Sequence, residues 1–169
     1  VDVLLCAACG RPLTRPVRLL PGLPDSPSWD GLPGPDGLRR APARMPRGTY
    51  AADPLPYGAP FVPAPDDEEY DGVVPGGKWM SDERGLLVSA GPRGTWVLHP
   101  LDAAGLDAHP DLHRHIGCCG PCGEYGANRL CPCGAEVAIM AGDCTTDHEI
   151  RFVPESVRVT TAPAAEGAA

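Results

Sequence analysis

Long apolar runs are missing from this sequence. No window approaches the roughly 18 consecutive apolar residues of a membrane-spanning helix, so no membrane partner is expected. Large aliphatic side chains are scarce too: Leu, Ile, Val and Phe supply 33 of 169 residues, which leaves a conventional core thin. Basic charge is short, with 14 Lys and Arg against 22 Asp and Glu and a net charge of −8. Without a basic stripe the chain is a poor nucleic-acid binder, because such affinity rests on neutralising phosphates. The hydrolase signatures H-E-x-x-H and G-x-S-x-G are absent, as is the complete phosphate-loop signature G-x-x-x-x-G-K-[S/T]. Glu136 is the one faint candidate for a metal-assisted base, and an enzyme is the minority reading. "VDVLLCAACGRP" carries Asp2 and a short apolar stretch instead of a secretory leader pattern. The expected setting is cytoplasmic, where clustered thiols stay reduced and more often bind metal.

What the chain has in abundance is Pro (22), Gly (21) and, for its size, Cys (8). Between residues 21 and 77 stand 13 Pro and 9 Gly, a density expected to exclude long helices and central strands. The sequence therefore divides into an N-terminal knuckle (1–20), an irregular Pro/Gly-rich excursion (21–84), β-hairpins with a Cys/His cluster (85–160) and a flexible tail (161–169). Together they make one domain. The excursion holds Trp29, Tyr50, Tyr57, Phe61, Tyr70 and Trp79, six of nine aromatics, which favours an ordered excursion pinned to the core over a disordered linker. Its acidic run, Asp66 to Glu69, reads as a solvated loop tip. "GLLVSA-GPRG-TWVLHP" predicts a hairpin, "AEVAIMA-GDCTTD-HEIRFVP" a second, and "ESVRV" a last strand. "LDAAGLDAH" predicts one helical turn stopped by Pro110.

Three cysteine pairs carry the chemistry. "CAACG" (Cys6, Cys9) and "CGPCG" (Cys119, Cys122) have the Cys-x-x-Cys spacing that places two thiolates on one ion, followed by a turn glycine. "CPCGAEVA" (Cys131, Cys133) has the same form with one residue fewer. Cys6 and Cys9 are expected to meet Cys131 and Cys133 in space, since a two-sulfur knuckle cannot saturate zinc alone. Of the adjacent Cys118 and Cys119, one is expected to ligate while the other packs or serves a second ion. Cys144 and His115 complete the candidate metal ligands, His115 as the most plausible histidine of "HPDLHRH". One or two zinc ions would supply what the thin core does not.

Cys-Gly-Pro-Cys is also the motif of thioredoxins, but it wants a buried strand before it and a helix after it. "HRHIGC" supplies no apolar strand, and "GEYG" breaks any helix. The knuckles CAACG, CGPCG and CPCGAEVA together resemble small bacterial zinc-ribbon-like proteins, over residues 117–153 and the N-terminal pair. That resemblance implies a small, mostly-β, zinc-stabilised domain and no activity. The expected function is a zinc-binding structural or interaction module with a protein partner. The alternative is a thiol–disulfide redox or metal-responsive protein that uses the Cys118, Cys119 and Cys122 cluster.

Overall fold

The structure, a computed structural model, describes residues 1–65, 80–83 and 85–161. Tyr70, Trp79, the acidic run and the tail from residue 162 lie outside the described residues. The protein is mostly β, with three sheets and three short 3₁₀ turns among those residues.

The largest sheet has seven strands. In spatial order they are β2 (Arg18–Leu19), β3 (Thr49–Asp53), β7 (Thr95–Leu98), β11 (Glu149–Phe152), β10 (Glu136–Ala141), β9 (Arg129–Leu130) and β8 (Asp107–Ala108). β1 (Asp2–Cys6) pairs antiparallel with β12 (Val157–Thr161), from Asp2 opposite Thr161 to Cys6 opposite Val157. β4 (Phe61–Pro63), β6 (Gly85–Ser89) and β5 (Met80–Asp82) make the third sheet.

Alternation along the central strand β11 gives the large sheet two different faces. Ile150 and Phe152 join Leu4, Tyr50, Leu98 and Val137 in the main apolar cluster, which also contains Cys6 and Cys131. On the other face Arg151 is buried with its charge. Its Nε donates to Glu149 Oε1 and its Nη1 to Asp53 Oδ2, both at 2.6 Å, and its guanidinium stands 3.9 Å above the Tyr57 ring. Burial raises the pKa of the Glu149 carboxyl against the opposing pull of Arg151. Burial likewise raises the pKa of the Tyr57 phenol, with the Glu149 charge adding to it.

Two expectations are corrected. The excursion does contribute a central strand: β3 lies between β2 and β7, with Tyr50 and Ala51 buried. The prolines punctuate this segment without filling it, and the stretch between Pro46 and Pro54 is long enough for five paired residues. The expected hairpin over 85–98 is not formed either. Both strands exist, but β6 pairs with β4 and β5, whereas β7 pairs with β3 and β11. The linking residues bond elsewhere: Ser89 Oγ donates to the Gly58 carbonyl (2.6 Å), Ala90 N to Pro60 (2.7 Å), and the Pro92 carbonyl accepts from Tyr57 N (3.1 Å). Those contacts with residues 57–60 pull the strands into separate sheets.

The β10–β11 hairpin forms, pairing Ala138 with Phe152 through Ala141 with Glu149, and β12 is the last strand. The helical turn comes early, as a 3₁₀ turn over Pro100–Asp102, and β8 follows it. Within the excursion Tyr50 and Tyr57 are buried, while Trp29 and Phe61 are partly exposed. Residues 24–44 are tied down near the β10–β11 turn: Arg44 reaches the Pro24 carbonyl (2.7 Å) and Asp147 (3.6 Å), and Ser26 donates to Asp147 (2.7 Å).

The buried ion cluster generates a prediction. Arg151→Met leaves two carboxylates without their cation in the interior and lowers stability by about 3–5 kcal/mol. Glu149→Gln costs less, because burial already favours an uncharged group there and Asp53 still balances Arg151. Urea unfolding of the two variants reads the order; equal losses would mean that Arg151 carries no more than its packing.

Candidate metal centre

Two groups of cysteines come together, and each could hold a metal ion. The first is Cys6, Cys9, Cys131 and Cys133, with every sulfur within 4.8 Å of the others. Each pair sits where the chain reverses. Asp2 faces Val17 and Leu5 faces Pro12, so residues 2–17 fold back on themselves with Cys6 to Gly10 at the tip. β9 and β10 form the second reversal, with Leu130 opposite Glu136 and Cys131 to Gly134 at its tip.

The two turns are built alike, which explains the short spacing of the second. In the first, Gly10 N donates to the Cys6 carbonyl (2.8 Å) and Cys6 N to Arg11 (2.9 Å). In the second, Gly134 N donates to the Cys131 carbonyl (2.8 Å) and Cys131 N to Ala135 (2.9 Å). Both closing bonds survive, one residue tighter. Gly10 (φ 74°) and Gly134 (φ 90°) occupy the left-handed conformation that closes each turn, where a side chain would be strained. The Cys131-x-Cys133 turn therefore has the same two closing bonds as the Cys6–Gly10 turn with one residue fewer.

Across the knuckles Cys6 Sγ lies 3.7 Å from Cys133 Sγ, and Cys9 Sγ lies 3.5 Å from Cys131 Sγ. Four sulfurs about 2.3 Å from one zinc would stand about 3.8 Å apart, so these separations suit a tetrahedral ion. They exceed the roughly 2.05 Å of a disulfide, and all eight cysteines are free. Cys6 and Cys131 are wholly buried, whereas Cys9 and Cys133 reach the surface. The Cys9 thiol is pulled down to about 7, chiefly by the hydrogen bond from the Arg11 backbone and then by Cys131. The Cys131 thiol is pushed up to about 12, chiefly by burial. A cation at the centre would offset that burial cost and draw the remaining protons off.

The second group is Cys118, Cys119 and Cys144, again within 4.8 Å of one another. Cys118 and Cys119 are exposed, Cys144 is partly buried, and the adjacent pair stands 3.8 Å apart. Hydrogen bonding to Cys119, then partial burial, pushes the Cys144 thiol up to about 12. The expectation that only one of Cys118 and Cys119 could face a given ion assumed extended backbone. Here the chain is tightly folded: a side chain on Gly117 would collide with the Gly120 carbonyl and stand 2.6 Å from Asp143 Oδ2. Asp143, which the sequence reading missed, holds this loop. Its Oδ2 accepts from Cys118 N (2.6 Å), while its Oδ1 accepts from Thr145 N (2.7 Å) and Thr145 Oγ1 (2.8 Å). The "GDCTT" turn between two strands was the available signal, an aspartate of the kind that binds its own backbone two residues on.

Two expected ligands lie elsewhere. Cys122 is buried and belongs to neither group, so the two cysteines of Cys-Gly-Pro-Cys part company. No α-helix follows them among the described residues, and the thioredoxin context is missing in three dimensions as well as in sequence. His115 joins neither group. It closes the 3₁₀ turn Leu112–His115, and its Nε2 lies 2.8 Å from the His109 carbonyl. His109 in turn stands 3.2 Å from Glu136 Oε1, the carboxylate singled out as a possible base, which also pairs with Arg114 at 2.9 Å. The Arg114 ion pair and the His109 contact give Glu136 a structural role.

Comparison with known proteins adds no relative: no family model, no curated protein and no solved structure matches the chain. The geometry itself separates the cysteines. Cys131→Ser should lose one bound metal ion per chain, whereas Cys122→Ala should keep the parent's metal content and lose only about 1–2 kcal/mol of packing. Elemental analysis beside a denaturant titration reads both. A missing ion in Cys122→Ala would make that sulfur a ligand after all.

Proposed function

We propose that this protein is a zinc-stabilised interaction module of zinc-ribbon-like construction, with a structural zinc ion on Cys6, Cys9, Cys131 and Cys133. One observation carries the reading: two cysteine-bearing turns at the tips of two chain reversals, more than 120 residues apart, meet with sulfurs 3.5 and 3.7 Å apart. A four-thiolate tetrahedral site suits zinc, and a closed one suits a structural role, since a catalytic zinc keeps a position open. The site's contribution to folding is about 10 kcal/mol or more, comparable with the whole stability of a small domain.

The partner is a protein, and the excursion is the surface that meets it. A cleft of about 720 Å³ opens between the excursion and the segments flanking β7 and β11, lined by Trp29, Pro33, Pro35, Pro42, His99 and His148. Leu32, Leu38 and Leu55 stand about half exposed on the same segment. An irregular, proline-rich surface with exposed apolar groups fits a polypeptide better than a polyphosphate, which the net charge of −8 repels. No helix among the described residues is long and apolar enough to cross a membrane. Eight free thiols suit the reducing environment of the cytoplasm.

Metal analysis of the reduced protein should find zinc, and a strong chelator should lower the melting midpoint by at least about 10 °C. Acid should release the same ion, because thiolates must take up protons to let it go. A chain that melts unchanged after complete metal removal would end this reading, and a stoichiometric red iron centre would replace zinc with iron.

A further inference from the structure

We propose that Cys118, Cys119 and Cys144 form a second metal site, an exchangeable one, which holds a soft divalent cation with three thiolates and leaves its fourth coordination position open to an incoming ligand. This goes beyond the structural ion and stands on different residues.

The two sulfur groups lie at opposite ends of β10: Cys131 and Cys133 precede it, and Cys144 follows it. A six-residue strand sets them roughly 20 Å apart, too far for one ion to serve both. The second group is built rather than incidental. Its loop is fixed against the β10–β11 turn by two bonds, Cys118 N to Asp143 Oδ2 (2.6 Å) and Gly142 N to the Pro121 carbonyl (2.9 Å), and is closed on itself by a third, Cys122 N to the Ile116 carbonyl (3.0 Å). A side chain at Gly120 would lie 2.7 Å from the Gly142 carbonyl, so the two turns touch backbone to backbone. The sulfurs are thus held in place before any ion arrives. The 3.8 Å between Cys118 and Cys119 matches the edge, about 3.8 Å, of a tetrahedral zinc thiolate site.

What distinguishes the site is its count and its exposure. Three sulfurs converge, and among the described residues no fourth Cys, His, Asp or Glu joins them. Asp143 lies alongside, but both its oxygens accept hydrogen bonds that build the loop. The closed site keeps two sulfurs wholly buried, whereas this one exposes two of its three. A divalent ion held by three thiolates displaces up to three thiol protons and leaves a net charge of −1. An incoming thiolate from another molecule can then take the open position, and a cysteine can leave as the ion moves on. No electrons change hands. Soft thiolates on an open, accessible ion favour transfer, where four partly buried ones favour retention.

The test uses the full reduced chain loaded with Zn²⁺ and challenged with a chromophoric chelator. Two equivalents are expected, leaving in a fast and a slow phase of equal size. Cys144→Ser should lose the fast equivalent and keep the slow one with its melting midpoint unchanged. Cys9→Ser should lose the slow equivalent. Because a variant can misfold, wild-type protein stripped of one equivalent is also footprinted with iodoacetamide, which should label Cys118, Cys119 and Cys144 and spare the other group. A single equivalent confined to the slow phase, two equivalents leaving together, or a Cys144→Ser variant that retains both would overturn the proposal. So would a reduced mass two units low from a disulfide that resists the reductant. Loss of the slow phase alone would sink the structural zinc ion and leave this site standing.

Discussion

Everything in this fold hangs on bringing residues 6–9 to residues 131–133. Cys9 and Cys131 are 122 residues apart, and closing a flexible loop of that length costs about 4 kcal/mol beyond a constant term. The apolar cluster that opposes this cost is small and includes Cys6 and Cys131 themselves. An ion on the four sulfurs, worth about 10 kcal/mol or more, would exceed the closure cost, with a margin that extra loop length erodes only logarithmically. Such a margin would tolerate so irregular an excursion. The pairing of β1 with β12 adds to it by running directly out of the first knuckle, with Cys6 opposite Val157.

The second constraint is electrostatic. Arg151 is as buried as the apolar side chains around it, and its partners come from β3 and β11, with Tyr57 covering its face. Such a cluster adds little net stability compared with well-packed apolar groups, but it penalises any arrangement that strands one of its charges. Here it ties the excursion to the sheet. A one-residue slip of β3 against β7 would turn Asp53 away from Arg151 and send Tyr50 out of the apolar cluster.

The local parts of this design were legible in the sequence, and of the long-range parts only the cysteine meeting was. Cysteine spacing and the following glycine announce a knuckle because one turn sets both. The meeting of Cys6 and Cys9 with Cys131 and Cys133 followed from the arithmetic of four ligands. The β10–β11 hairpin was readable because its partners are neighbours. The strands β6 and β7 were equally visible, yet their pairing was not, since the bonds that separate them come from residues 57–60. β3 hid behind the composition of its surroundings, although its own five residues contain neither Pro nor Gly. His115 drew attention through its neighbours in sequence, but a 3₁₀ turn aims its ring at the His109 carbonyl. Which way a side chain faces in an irregular loop depends on a few hydrogen bonds that composition does not encode.

Cys122 shows how one such choice sets the chemistry of a whole site. In an ordinary knuckle Cys119 and Cys122 would share an ion, and with Cys118 and Cys144 they would make a closed four-sulfur cage. The chain after Cys122 is instead drawn inward. A side chain at Gly123 would stand 3.1 Å from Tyr57 Oη, the Ala59 amide donates to the Glu124 carbonyl (2.7 Å), and the methyls of Ile139 and Ala141 lie close by. Tyr57 is itself fixed beneath the Arg151 guanidinium. The buried ion cluster therefore reaches, through Tyr57, to the position of Cys122, and that sulfur is packed into the core instead of joining Cys118, Cys119 and Cys144. The exposed Cys118 and Cys119 and the partly buried Cys144 remain together without it, so the same packing that secures the sheet leaves that cluster with three sulfurs.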